Sequence, residues 1–156
     1  MEKKLREKRE RLFAEMKKLE GARQWDTAVG MIQRWFYGSY VKASWCATTV
    51  SYAGAAIGLP KQENVYTLMM KCKERADRGE GEFFMYHGEE LTRGDVLFWL
   101  WSGSHMTIGS SKHVGVCAAD TPAGASTISC IGGNQSNSVC TKNYEAHKLY
   151  AVYRPV

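Results

Sequence analysis

The sequence predicts an α+β domain in which helices come first and a mostly antiparallel sheet follows. Three observations carry this. Apolar residues recur at helical spacing from Leu5 to Ala76, short β-prone runs separated by turn residues fill the chain from Glu82 to Arg154, and no linker or internal repeat divides the two halves. At 156 residues the chain is short enough for one domain and long enough to bury a core without staples. Hydrophobic residues at 44% and aromatic residues at 12% place it among globular chains.

Residues 2–20 read as a highly charged helix with Leu5, Leu12, Phe13, Met16 and Leu19 near one face, ended by Gly21. The segment 1–20 is therefore set apart from a single domain over residues 21–156. It is expected to lie over that domain by a thin apolar stripe, or to serve as a basic arm on an anionic surface. Asp26 can cap a second helix from Thr27 to about Phe36, with Val29, Ile32 and the Trp35-Phe36 pair on its buried side. A third helix occupies the stretch Ala43 to Gly58, with Ser44 as its expected N-cap and Cys46 in its first turn; Gly58 and Pro60 stop it. Asn64 or Glu63 starts a fourth, in which Val65, Leu68, Met69, Cys72 and Ala76 face the core. Strands are expected near residues 82–86, 95–101, 113–119, 126–131, 138–144 and 148–154, with the Ser- and Gly-rich loop 102–112 as the rim of a site.

Composition narrows the chemistry. The formal charge is +5, but the first twenty residues hold eight Lys/Arg against five Asp/Glu, so the body is only mildly basic. Five cysteines, at 46, 72, 117, 130 and 140, form no Cys-x-x-Cys pair, which argues against a disulfide framework and a zinc knuckle. No segment reaches the ~18 apolar residues of a membrane span. The charged N-terminus lacks the pattern of a secretory signal, so the expectation is a chain made in the cytoplasm.

A cysteine at a helix start is where a nucleophile belongs, because free backbone N–H groups there favour the thiolate that attacks. Such a thiol needs a general base, and the base needs an orienting acceptor. Of four histidines, His105 falls in the Ser/Gly loop and His87 and His147 in polar stretches. His113 opens a strand in which His113, Gly115 and Cys117 alternate with Val114, Val116 and Ala118, and Gly115 is expected to leave room for the Cys46 helix. Gly132-Gly133-Asn134-Gln135 follows an apolar strand, where an amide can fix the imidazole tautomer; a plain Gly-Gly-Asn turn is the structural alternative. Asp95 reads as part of a turn feeding a strand.

Four strings, Ser44-Trp45-Cys46-Ala47, Arg93 to Phe98, Lys112 to Val116 and Ile131 to Val139, resemble in order and spacing the signature blocks of the CHAP family. These are cysteine- and histidine-dependent amidohydrolases/peptidases that cut bacterial peptidoglycan. The resemblance spans about Trp25 to Arg154. It implies a papain-like arrangement, with Cys46 as nucleophile, His113 as base and Asn134 as orienting group. One departure stands out: many family members carry an acid two positions before the asparagine, where this chain has Gly132. Trp45, Trp101 and Gln135 are the expected substrate-binding residues, with Trp99 in the core.

The resemblance further implies peptidoglycan as partner, no nucleic acid and no membrane span, a monomeric chain, no cofactor and no metal. Asp26 is the only acid between Gly21 and Cys46, too few for a calcium loop ahead of the cysteine. The activity implied is that of an N-acetylmuramoyl-L-alanine amidase or a stem or cross-bridge endopeptidase, as in a phage endolysin or an injected antibacterial effector. The competing readings are a papain-like protease, deamidase or transferase acting on proteins, and a non-catalytic cell-wall module with a decayed site.

Overall fold

The computed structural model describes the backbone of residues 2–156 and the side chains of residues 5–156, so that Met1 of the segment 1–20 lies outside the described residues. Four helices come first: α1 (Glu2–Leu19), α2 (Thr27–Tyr37), α3 (Cys46–Gly54) and α4 (Val65–Asp77). Six strands follow: β1 (Glu82–Met85), β2 (Val96–Leu100), β3 (Lys112–Cys117), β4 (Thr127–Gln135), β5 (Ser138–Glu145) and β6 (Leu149–Arg154). They make one sheet in the order β1-β6-β2-β3-β4-β5, with each neighbouring pair antiparallel. This is the α+β class the sequence predicts.

Local chemistry sets the helix ends. Asp26 accepts the Val29 N–H at 2.9 Å to open α2, and Gly38, at φ 79°, closes it. Asn64 accepts the Tyr66 N–H at 2.8 Å to open α4. The expected Ser44 cap is corrected: Trp45 occupies the N-cap position of α3, and no side chain caps the helix. A 3₁₀ turn over Ala55–Ile57 carries α3 to Gly58, at φ 77°.

Strand alternation divides the core. Phe98, Val114, Val116 and Ile131 bury one face of the sheet against Leu12 and Met16 of α1, Val50 of α3 and Leu68 of α4. Leu97, Trp99, Cys117, Ile128, Cys130 and Val152 form a smaller cluster on the other face. Although α1 is highly charged, Leu12 and Met16 are fully buried, whereas Leu5 stays exposed. Burying a leucine of this kind stabilises by about 1.5–3 kcal/mol, enough to hold the helix on the body.

Two glycines decide how α3 meets the sheet, and only one of them was expected to matter. A Cβ on Gly115 would meet Cys130 Sγ at 2.4 Å, so this gap is filled by the neighbouring strand and not by the Cys46 helix. The helix packs instead on the Val114 and Val116 side, over Gly133, where a Cβ would lie 2.4 Å from Thr49 Oγ1 and 3.0 Å from the Trp45 ring. Gly132 and Gly133 belong to β4 itself, which runs on to Gln135 rather than ending at Ile131. The loop between β2 and β3 is pinned by buried Met106. Among the described residues, no helix is long and apolar enough to cross a membrane.

Candidate active site

The N-terminus of α3 and the first residues of β3 bring Cys46 and His113 together. Both are almost wholly buried, at 5% and 6% exposure. Burial alone pushes the Cys46 thiol up. The hydrogen bond and charge of His113, the Val114 backbone N–H and the Ser44 hydroxyl outweigh it, so the thiol titrates below its ordinary value. Ser44 thus acts on the sulfur instead of capping the helix. For His113, burial favours the neutral ring, but the Cys46 partnership and then the Gln135 hydrogen bond win, and the imidazole titrates above its ordinary value. The two shifts are reciprocal, each group favouring the charged form of the other. Three other cysteines go the opposite way: burial pushes Cys72 to about 12, Cys117 to about 11 and Cys130 also upward.

The far side of the imidazole is held by Gln135, which corrects the expected role of Asn134. His113 Nε2 lies 2.9 Å from Gln135 Oε1. The Gln135 amide nitrogen donates to the carbonyls of Cys130 at 3.1 Å and Cys140 at 2.7 Å, so its orientation is fixed and its oxygen must accept. His113 Nε2, the nitrogen that faces the Gln135 oxygen, therefore carries a proton. Asn134 is half-buried, sits at φ 58° and makes no side-chain hydrogen bond among the described residues.

The physical reason is a bulge. The β4–β5 register shifts between Gly132 and Gln135, and the extra residue reverses the alternation, so that Gln135 falls on the face of Gly132 and His113. Gly132 has the same origin in packing. A Cβ there would lie 2.7 Å from Gln135 Oε1 and 3.2 Å from His113 Nε2, so the space that an acid at this position would need is occupied by the Gln135 amide.

The expected substrate-binding residues take other places. Gln135, at 2% exposure, is spent on His113. Trp45 is fully buried, its indole N–H donating to Gln24 Oε1 at 3.2 Å. Trp101 is half-buried and stacks on the His113 ring at 6.0 Å between centroids and 20° between planes, with Tyr144 edge-on to the imidazole at 6.1 Å. Trp99, buried as expected, stacks behind Trp101 at 5.9 Å. The indole and phenol rings shield the His113–Gln135 bond and offer π-faces and edges to a charged imidazolium.

Sequence reasoning missed a buried brace. Gln33 on α2 is fully buried and donates to the carbonyls of Val41 at 3.0 Å and Ala43 at 3.3 Å, while accepting from Thr48 Oγ1 at 2.7 Å. It ties the chain just ahead of Cys46 to the first turn of α3. The signal available in the sequence was a lone glutamine inside the apolar stripe Val29, Ile32, Trp35.

Uncapped, the first turn of α3 leaves backbone N–H groups without side-chain partners beside the sulfur, the arrangement an oxyanion requires. Asp95 is buried under Arg154, which donates to it at 3.0 and 2.8 Å, and so serves the frame and not the site. His87, His105 and His147 are exposed. A cavity of about 580 Å³ lies away from Cys46, against α1 and the start of β1, with Arg6, Arg9, Glu82, Asp120 and Arg154 in its wall. Among the described residues, no three His, Cys, Asp or Glu side chains group closely enough to hold a metal ion. No family model and no curated protein matches the chain.

Proposed function

We propose that the protein is a cysteine hydrolase of amide bonds that acts on bacterial peptidoglycan, with Cys46 as nucleophile, His113 as general base and acid, and Gln135 as the positioning residue. The observation that carries the chemistry is the buried Cys46–His113 pair at an uncapped helix start, its imidazole held by Gln135 at 2.9 Å. In this reading the Cys46 thiolate adds to an amide carbonyl, and the oxyanion is received by the backbone N–H groups of the first turn of α3. His113 then protonates the leaving amine from Nδ1. Water deprotonated by the same nitrogen hydrolyses the thioester, returning the thiolate–imidazolium pair. Gln135 keeps Nε2 protonated throughout, so Nδ1 is always the exchanging atom.

The choice of peptidoglycan over a protein substrate rests on the CHAP resemblance of the four strings around Cys46, Asp95, His113 and Asn134. The lowered Cys46 titration and the Gln135 contact that holds His113 speak against a decayed site. Cys46→Ala and His113→Ala are each expected to abolish turbidity loss of purified cell walls while leaving the circular dichroism spectrum unchanged. Undiminished lysis by the Cys46→Ala protein would overturn the assignment. Mass spectrometry of the released fragments identifies the bond cut.

A further inference from the structure

The cavity of about 580 Å³ beside α1 shares no wall residue with the candidate active site. It lies between the first half of α1, the start of β1, the end of β6 and the segments around Thr92 and Thr121, and its volume suits a small molecule. Its charges are sorted by depth. Arg9 is 6% exposed and the Arg154 side chain 19%, whereas Glu82 and Glu90 are exposed at the mouth.

Arg9 is a buried cation with only neutral acceptors. Its guanidinium donates to Thr92 Oγ1 at 2.6 Å and to the Leu5 carbonyl at 2.9 Å, and its Nε makes no hydrogen bond. The neighbouring acids are engaged elsewhere: Asp95 accepts from Arg154 at 3.0 and 2.8 Å, and Asp120 from Arg6 at 2.6 Å and the Arg93 N–H at 2.8 Å. Burial lowers the Arg9 titration; Asp95 opposes this, and the nearby Arg154 and Arg6 add to it. A buried charge is ordinarily paired, so the group that Arg9 lacks is an anion. Arg9, Arg154 and Asp95 leave one positive charge at depth, and Arg6 cancels Asp120. Glu82 and Glu90, which make no ion pair among the described residues, leave two negative charges at the mouth. A polyanion is repelled there, and a simple amine finds no partner below.

We infer that this cavity binds a small zwitterion, an amino acid or short peptide, whose carboxylate supplies the counter-charge of Arg9 and whose ammonium group lies at Glu82 and Glu90. The site is separate from Cys46 and independent of the hydrolase reading. The probe is glycylglycine, titrated calorimetrically into the full chain. Acetylglycine lacks its ammonium group, glycylglycinamide lacks its carboxylate, and inorganic phosphate is a plain oxyanion. Glycylglycine is expected to saturate with a Kd of about 1 mM or below, and the other three to bind about 10-fold more weakly or worse. Glu82→Gln combined with Glu90→Gln changes two exposed side chains and is expected to weaken glycylglycine to the level of acetylglycine. Arg9→Met is expected to weaken it about 10-fold or more. That variant leaves no buried acceptor empty, because Thr92 Oγ1 still donates to Asp95 at 3.2 Å and Leu5 is exposed.

No saturation by about 10 mM overturns the site. So does acetylglycine or phosphate binding as tightly as glycylglycine, or unchanged affinity in the double glutamine variant. Protection of Cys46 from iodoacetamide by glycylglycine also overturns it, since the ligand would then sit in the active site. The double variant decides the matter even where Arg9→Met does not fold.

Discussion

Gln135 and Asn134 are neighbours in sequence but hold opposite positions in the site. Gln135 has every polar atom engaged, with one oxygen toward His113 and two amide hydrogens toward backbone carbonyls. Gln135→Ala frees the imidazole to adopt the other tautomer, and activity on purified walls is expected to fall by about 10²- to 10⁴-fold, the range seen when the orienting member of such a triad is lost. Asn134→Gly keeps the left-handed backbone at φ 58° and deletes only the amide, so activity within a few-fold of wild type is expected. A result with the two variants exchanged would return the orienting role to Asn134. The sequence could bring the choice down to this tetrapeptide because an amide was needed after an apolar strand. It could not choose within it, since a single bulged residue reverses which side chain faces His113.

Helix α3 is the element on which the proposed chemistry depends, and its usefulness to that chemistry comes from something it lacks. A side-chain cap would occupy the first-turn N–H groups, whereas Trp45 at the N-cap position leaves them for a developing oxyanion. Stability that a cap would have contributed, roughly 1 kcal/mol, is supplied by the Gln33 brace and by close seating on β4. That seating depends on Gly133. In Gly133→Ala the new methyl would press into the Thr49 side chain, itself tied to the Trp45 carbonyl at 2.6 Å. Overpacking of this kind costs about 1–3 kcal/mol, so a lowered melting temperature is expected together with slower Cys46 alkylation, as the helix start is displaced from His113. A variant with native alkylation and native stability would show that α3 has slack over the sheet. The helix itself was legible from its small residues and its Gly58 stop. Its floor was not, because the contact joins residues about 85 positions apart.

Across the whole molecule, the helical face of the sheet buries Cys46 while Trp101, Tyr144 and Gln135 enclose His113, and the pH behaviour expected of the proposed pair follows from that enclosure. The proposed thiolate–imidazolium pair needs Cys46 ionised and His113 protonated, and the Cys46 titration is depressed while that of His113 is raised. The active form therefore extends to more acidic pH than an ordinary thiol allows and to more alkaline pH than an ordinary imidazole allows. At pH 6, where an unperturbed thiol of pKa about 8.5 is well under ~1% ionised, native protein is expected to consume iodoacetamide at Cys46 far faster than free glutathione does. The kcat/KM profile on cell walls should be a bell whose limbs are these two titrations. Equal alkylation rates for Cys46 and glutathione at pH 6 would remove the ion pair from the mechanism. Trp101 and Tyr144 belong to the same enclosure: read from sequence, Trp101 was a wall for substrate, yet folding of β2 against β3 spends it on His113.

The sequence by itself determined the class of fold, the order of its elements, two of its helix caps and the cysteine and histidine that meet. Those features depend on periodicity, on local hydrogen bonding and on residue chemistry, all written within a few positions of one another. Tertiary structure alone decided that Gln135 and not Asn134 holds His113, that Gly133 and not Gly115 admits α3, and that Ser44 serves the sulfur instead of the helix. Each of these turns on a contact between distant segments or on the parity of a strand, and neither a propensity nor a spacing encodes them.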